Sequence, residues 1–241
     1  LNETPAYQLR RSARARHVRL TVSMRHGLVI TLPHRFPLQQ LPSILRDKSA
    51  WIADALRKVE QDRVHWLAEC RMAQQLPETI ELPALGRRWR LLQQPSTTAR
   101  LRLREQGDLL LMCGNASDHE AAIALLRRWL RRKAAEVLPA QLSQLAAEHE
   151  LRHGPVSIRS QRRRWGSCAR NGAISLNDRL LFLPPELARH VLLHELAHLR
   201  EHHHGPAFHR LLAALDPECL LHTARMRRAG DLVPLWARDL D

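Results

Sequence analysis

Apolar and polar positions first alternate between His17 and Met24, where Val18, Leu20, Val22 and Met24 recur at every second residue. That is the period of a strand with one buried face. Gly27 offers a turn, Leu28–Leu32 reads as a second strand, and Pro33 and Pro37 close it. A helix is expected to start near Leu38. A longer one is expected from about Asp47 to Gln75, with Trp51, Ile52, Leu56, Val59 and Trp66 at helical spacing.

Short strands are predicted at Thr79–Leu82, Arg88–Leu92, Arg100–Arg104 and Leu109–Cys113, the last two joined as a hairpin through Gly107-Asp108. Ser117 with Glu120 has the form of a capping box. It opens a helical pattern through Ile123, Leu126, Trp129, Leu130, Val137, Leu142 and Leu145, which Pro139 should kink or split.

After His153-Gly154-Pro155 the pattern changes. Strands are predicted at Val156–Arg159 and Ala173–Asn177, flanking a basic segment, Arg162 to Cys168. Pro184-Pro185 fits the first turn of a helix through Val191, Leu192, Leu193, Leu196, Ala197 and Leu199, ending before Gly205-Pro206. Shorter helices are expected from Pro206 to Leu215 and, past Pro217, from Glu218 to Arg228, with a loop from Gly230. The chain divides on this reading into an N-terminal β/α region, 1–115, and a C-terminal region, 116–241.

Composition narrows the class. Of 241 residues 44% are apolar, enough for a core and too many for a disordered chain. Cys70, Cys113, Cys168 and Cys219 are too few and too dispersed for a disulfide scaffold. No apolar run approaches the ~18 residues of a membrane span. With no export signal in the opening residues, a reducing cytoplasm is the expected compartment. The formal charge is +14, and of 38 basic residues only Lys48, Lys58 and Lys133 are lysines, leaving 35 arginines. Such a balance suits a nucleic-acid partner but also follows from a compositional habit, since the arginines are scattered.

The chemistry concentrates late in the chain. Seven of the 15 histidines fall between His190 and His209 and enclose His194-Glu195-Leu196-Ala197-His198. Chance would supply about 0.05 such H-E-x-x-H matches in this composition. Imidazoles four residues apart on a helix converge on one ion, and the neighbouring glutamate can serve a metal-bound water as general base. A catalytic zinc wants a third protein ligand. His202, His203, His204, His209, Glu201 and Glu218 are candidates. His202 and Glu201 continue the same helical stripe and lie too far along its axis. His204 stands just before the turn at Gly205-Pro206 and is the choice, with Glu218 as runner-up. The resulting H-E-x-x-H-x5-H offset is that of metzincins, although Glu201 stands where their turning glycine would be.

Four elements in order resemble the YgjP-like metal-dependent hydrolases, zincin-type proteins related to SprT-like ones. They are Arg164-Trp165-Gly166-Ser167-Cys168; Ile174-Ser175-Leu176-Asn177 with Arg179-Leu180; His194-Glu195-Leu196-Ala197-His198-Leu199; and His204 with Phe208. The likeness spans roughly residues 6 to 215. It departs at His203, Gly205 and His209, where the family often has Asn, Ser and Trp. The resemblance implies an α+β fold with a zincin-like domain: a twisted sheet packed on the H-E-x-x-H helix, preceded by an N-terminal β/α extension. It also implies His194, His198 and His204 as ligands of one zinc or other divalent ion, with Glu195 as catalytic acid/base.

Arg164 is expected to bind substrate at the cleft wall, and Asn177 to orient a ligand or a loop. The first functional expectation is a zinc-dependent hydrolase of the peptidase type acting on peptide or protein. A second keeps the site but hydrolyses a phosphoanhydride such as a nucleoside triphosphate. A third is a DNA-associated, SprT-like protease or binding module, supported only by charge. No membrane partner is expected.

Overall fold

A computed structural model describes residues 5–23, 26–73, 75–94, 100–114 and 118–238. Met24 and Ser117, and the side chain of Trp66, lie outside the described residues. The fold is mixed α+β, with ten strands and six α-helices among those residues, and none of the helices is long and apolar enough to cross a membrane.

The chain divides into two compact units, one ending at Arg71 and one running from Met72 to Asp239. The expected boundary at 115/116 falls inside the second unit, because the sheet that precedes it shares a core with the helix that follows it.

In the first unit β1 (Tyr7–Ser12), β2 (Arg19–Ser23) and β3 (Gly27–Pro33) form a sheet with β3 central, parallel to β1 and antiparallel to β2. β1 was not anticipated. Tyr7 and Leu9 are exposed, so the strand shows no buried face for a pattern to reveal. Helices α1 (Leu41–Asp47) and α2 (Ser49–Ala73) follow, and Leu28, Ile30, Leu32, Leu41, Leu45 and Ile52 make the core. Trp51, expected on the apolar stripe, is exposed. It lies about 100° from Ile52, and the inward position is Ile52's.

The second unit opens with β4 (Thr79–Leu82), β5 (Arg87–Gln94), β6 (Arg102–Gln106) and β7 (Leu109–Cys113), in the order β4-β5-β7-β6. The predicted β6–β7 hairpin forms, with Gly107 at φ +59° in its turn. Helix α3 (His119–Glu148) is capped by Asp118, whose carboxylate accepts from the Ala121 N–H at 3.0 Å. It runs on through Pro139, so of the expected kink or split the split does not occur. Trp89 and Trp129 meet edge to face at 5.3 Å between sheet and helix, both fully buried. Each indole N–H donates to a different oxygen of Glu105 at 3.1 Å.

Strands β8 (Val156–Arg159), β9 (Gly166–Cys168) and β10 (Ile174–Asn177) form the third sheet, with β10 in the middle. Helices α4 (Pro185–Ala197), α5 (Pro206–Leu215) and α6 (Cys219–Met226) complete the unit. The segment expected as a loop from Gly230 instead docks as two short 3-10 turns. Trp236 is buried against Phe182, and Arg127 donates to the carbonyls of Trp236 and Arg238. Burial of such aromatic and leucine side chains contributes about 1.5–3 kcal/mol each.

Candidate metal centre

Pro185 starts α4 because a first-turn residue needs no backbone N–H partner. Leu187, Ala188, Val191, Leu192, Leu193 and Leu196 bury one broad face of the helix. His190, His194 and His198 recur every fourth residue and so share a stripe on its edge. The helix stops at Ala197, with His198 as its C-cap, two residues short of the expected Leu199. Glu201 and His202 are therefore not on the helix, and their exclusion as distant helical positions does not hold. The chain turns after His198 and brings His204 back.

His204 Nε2 lies 3.1 Å from His194 Nε2. Two ligand nitrogens on a tetrahedral ion with bonds of 2.0–2.1 Å stand about 3.3 Å apart. One ligand atom each from His194, His198 and His204 falls within 4.8 Å of the others. Phe208, fully buried, packs at 4.6–5.0 Å from all three rings and floors the cluster. His198 Nδ1–H donates to the Glu201 carbonyl at 2.9 Å, which leaves its Nε2 lone pair free to coordinate. Burial, then the neighbouring imidazoles, lower the His194 pKa to about 3, and burial lowers that of His198. Both are neutral at pH 7, the form in which histidine binds metal.

Glu195 points to the other side of the helix edge, against β9. It is 4% exposed, and burial raises its carboxyl to about 7, opposed by the Arg164 guanidinium. Its Oε2 is buried and makes no hydrogen bond within the protein. A carboxylate so placed takes its partner from outside the chain. Three imidazoles beside such a carboxylate fit a divalent cation of the kind that imidazole binds, zinc, copper, iron and nickel among them.

The basic segment forms one wall. A cleft of about 930 Å³ is lined by Arg164, Trp165 and Gly166 on one side and by His194, Glu195 and Phe208 on the other. Arg164, the expected substrate contact, is exposed at this wall. Asn177 is not. It is 2% exposed and its amide donates to the carbonyls of Gln161 and Arg164, both at 2.7 Å, while Oδ1 accepts from the Arg179 N–H. Both polar atoms of its side chain are engaged with backbone, two of those bonds reach the segment that carries Arg164, and Asn177 is not among the residues that line the cleft. Glu218, the runner-up ligand, stands at the N-cap position of α6 without a side-chain capping bond, its side chain 71% exposed and 3.8 Å from His222.

A family model described as "YgjP-like, metallopeptidase domain" matches residues 16–229. The chain belongs to the YgjP-like family. No curated protein and no solved structure shows a significant match.

Beside its three-histidine cluster, this YgjP-like domain holds a second group that sequence reading missed. Asp216, at the end of α5, accepts from His190 Nδ1 at 2.6 Å and from His222 Nδ1 at 2.9 Å, all three residues being buried. Burial pushes the Asp216 carboxyl up, but the two imidazoles more than offset it and hold it below the usual carboxylate value. Both distances are hydrogen-bond lengths, so the carboxylate and the two imidazoles form a hydrogen-bonded triad linking α4 to α6. Its signal in the sequence was faint. Asp216 precedes a proline that explains itself as a helix breaker, and His222 lies 32 residues from His190.

Proposed function

We propose that this protein is a zinc-dependent hydrolase of the peptidase type. His194, His198 and His204 would hold the ion, which when bound would supply Lewis-acid polarisation of water and of the scissile carbonyl. Glu195 takes the proton of the attacking water on its carboxylate and hands it to the leaving amine nitrogen. Its raised pKa makes the carboxylate a stronger base for the first transfer than a solvated glutamate and lets the carboxyl hold the proton near neutral pH until the second. Arg164 stands at the mouth, where it can hold a substrate carboxylate or a carbonyl oxygen that gains charge. In zincin-like terms, β9 is the wall against the H-E-x-x-H helix.

The observation that carries the peptide reading is the lining of the cleft. Val191, Leu212, Ala213, Leu220 and Met226 make it mainly apolar, and among the described lining residues Arg164 is its one arginine or lysine. An apolar side chain next to a scissile amide suits that surface. A triphosphate asks for several cations, and no Walker-type loop is present to supply backbone donors.

The test compares wild type with Glu195→Gln on casein-type protein and on nucleoside triphosphates, with metal analysis of both proteins. The expected result is proteolysis by wild type, none by the variant, and equal zinc. Full hydrolysis by Glu195→Gln overturns the mechanism. Turnover of triphosphates without proteolysis overturns the substrate class.

A further inference from the structure

The cleft leaves the excess of arginine unexplained. Helix α3 sorts its own cations. Arg127 is committed to the C-terminal carbonyls, Arg131 to Ser160 at 2.8 Å and to Asp178 at 3.7 Å, and Lys133 to Glu105 and Glu136 at 2.9 Å each. Arg128 has no hydrogen-bond or ion-pair partner among the described residues, and Arg132 has only Glu136 at 4.0 Å, both side chains well exposed. These two arginines share a groove with a strand that carries three more.

That strand is β6 with the two residues before it, Arg100-Leu101-Arg102-Leu103-Arg104. Leu101 and Leu103 pack on the main core, and the three arginines are exposed with no partner among the described residues. β6 is an edge strand. Charge on an edge guards against edge pairing, but that does not account for Arg128 and Arg132 on the helix opposite. Together the five arginines line a groove of about 790 Å³ between β6 and α3, and among the described residues no carboxylate lines it.

From this groove we infer that the protein has a binding site for the phosphate backbone of single-stranded nucleic acid. Alternate strand residues repeat every ~6.7 Å, and residues one helical turn apart every ~6 Å. The arginines thus form two short rows of evenly repeated charge, the arrangement that tracks a linear chain of phosphates. Guanidinium forks match phosphate oxygens in geometry as well as charge. The site is independent of the metal cleft and of the activity proposed for it.

Binding of a labelled 20-nucleotide oligothymidylate to the full chain, followed by fluorescence anisotropy between 50 and 200 mM salt, tests the assignment. Five phosphate contacts at about 0.7 each predict a log–log salt slope of about −3.5. Arg102→Glu with Arg104→Glu and Arg128→Glu should weaken binding at least about tenfold at low salt and cut the slope by about 2. The same loss of charge at Arg10, Arg14 and Arg19 in the first unit should change affinity less than about twofold. Thermal unfolding and zinc content verify both proteins, and glutamine in place of glutamate at the three groove positions serves if the reversal does not fold. Equal loss in the two charge-matched proteins overturns the groove as the site. So does a salt-insensitive affinity, tighter binding of duplex than of single strand, or displacement by polyglutamate as readily as by unlabelled oligonucleotide.

Discussion

Gly166 stands so close to the carboxyl of Glu195 that a methyl group on its α-carbon would lie 2.6 Å from Oε1 and 2.7 Å from Cγ. Glycine at this point of β9 lets the wall of the cleft touch the proposed general base. Glu195 is buried and has little room to swing away. Gly166→Ala should therefore shift the carboxylate and lower turnover roughly 10- to 100-fold, with zinc content unchanged. Turnover within about twofold of wild type would show that the contact does not position Glu195.

His204 is the proposed third ligand, brought to His194 by the turn after α4, and Glu218 is not among the side chains gathered there. His204→Ala should reduce zinc affinity at least about 100-fold, measured by competition with a chelator, while Glu218→Ala leaves it unchanged. The opposite ranking would move the third ligand to α6.

Asp216 accepts from two buried imidazoles at once. Removing it leaves two buried donors unmatched, at about 1–3 kcal/mol each. Asp216→Ala should destabilise the metal-free protein by roughly 3 kcal/mol in urea unfolding, and Asp216→Asn, which keeps an acceptor, by less. A loss below about 0.5 kcal/mol for alanine would mean that the triad does not tie α4 to α6.

Glu105 serves three donors: the indoles of Trp89 and Trp129 and the ammonium of Lys133. Burial raises its carboxyl, but those bonds outweigh it and hold the pKa below the ordinary glutamate value. A depressed acid contributes stability that is complete above the unfolded-state value and is lost as pH falls through the folded-state one. Glu105→Gln should cost about 1–3 kcal/mol at neutral pH, and the difference from wild type should shrink below about pH 4. A difference independent of pH down to 3 would reject the charge-assisted account.

Much of the architecture was legible from pattern. The alternation at Val18, Leu20 and Val22, the Gly107 hairpin and the leucine-rich stretch of α4 each carry a period that only one secondary structure satisfies. The exceptions have physical reasons. β1 has no buried face, and the C-terminal turns are held by Arg127 from 109 residues away. Pro139 removes one hydrogen bond from a helix whose packing is long enough to hold it together. Trp51 and Ile52 compete for one inward direction, and one-dimensional spacing does not rank them.

The same division runs through the site. The H-E-x-x-H spacing by itself set His194 and His198 on one helical edge with Glu195 turned aside, because helix geometry fixes the relation between residues one and four apart. A helix stop and a returning loop decided that His204 and not Glu218 meets them. Asn177 became a clamp on the Arg164 segment only because β10 lies beneath it. The fit of Gly166 to Glu195, the meeting of His190 with Asp216 and the shared groove of Arg102 and Arg128 join residues 26 or more positions apart. Local period carries no information at that range, and the packing of the folded chain decides which of the 35 arginines face one another.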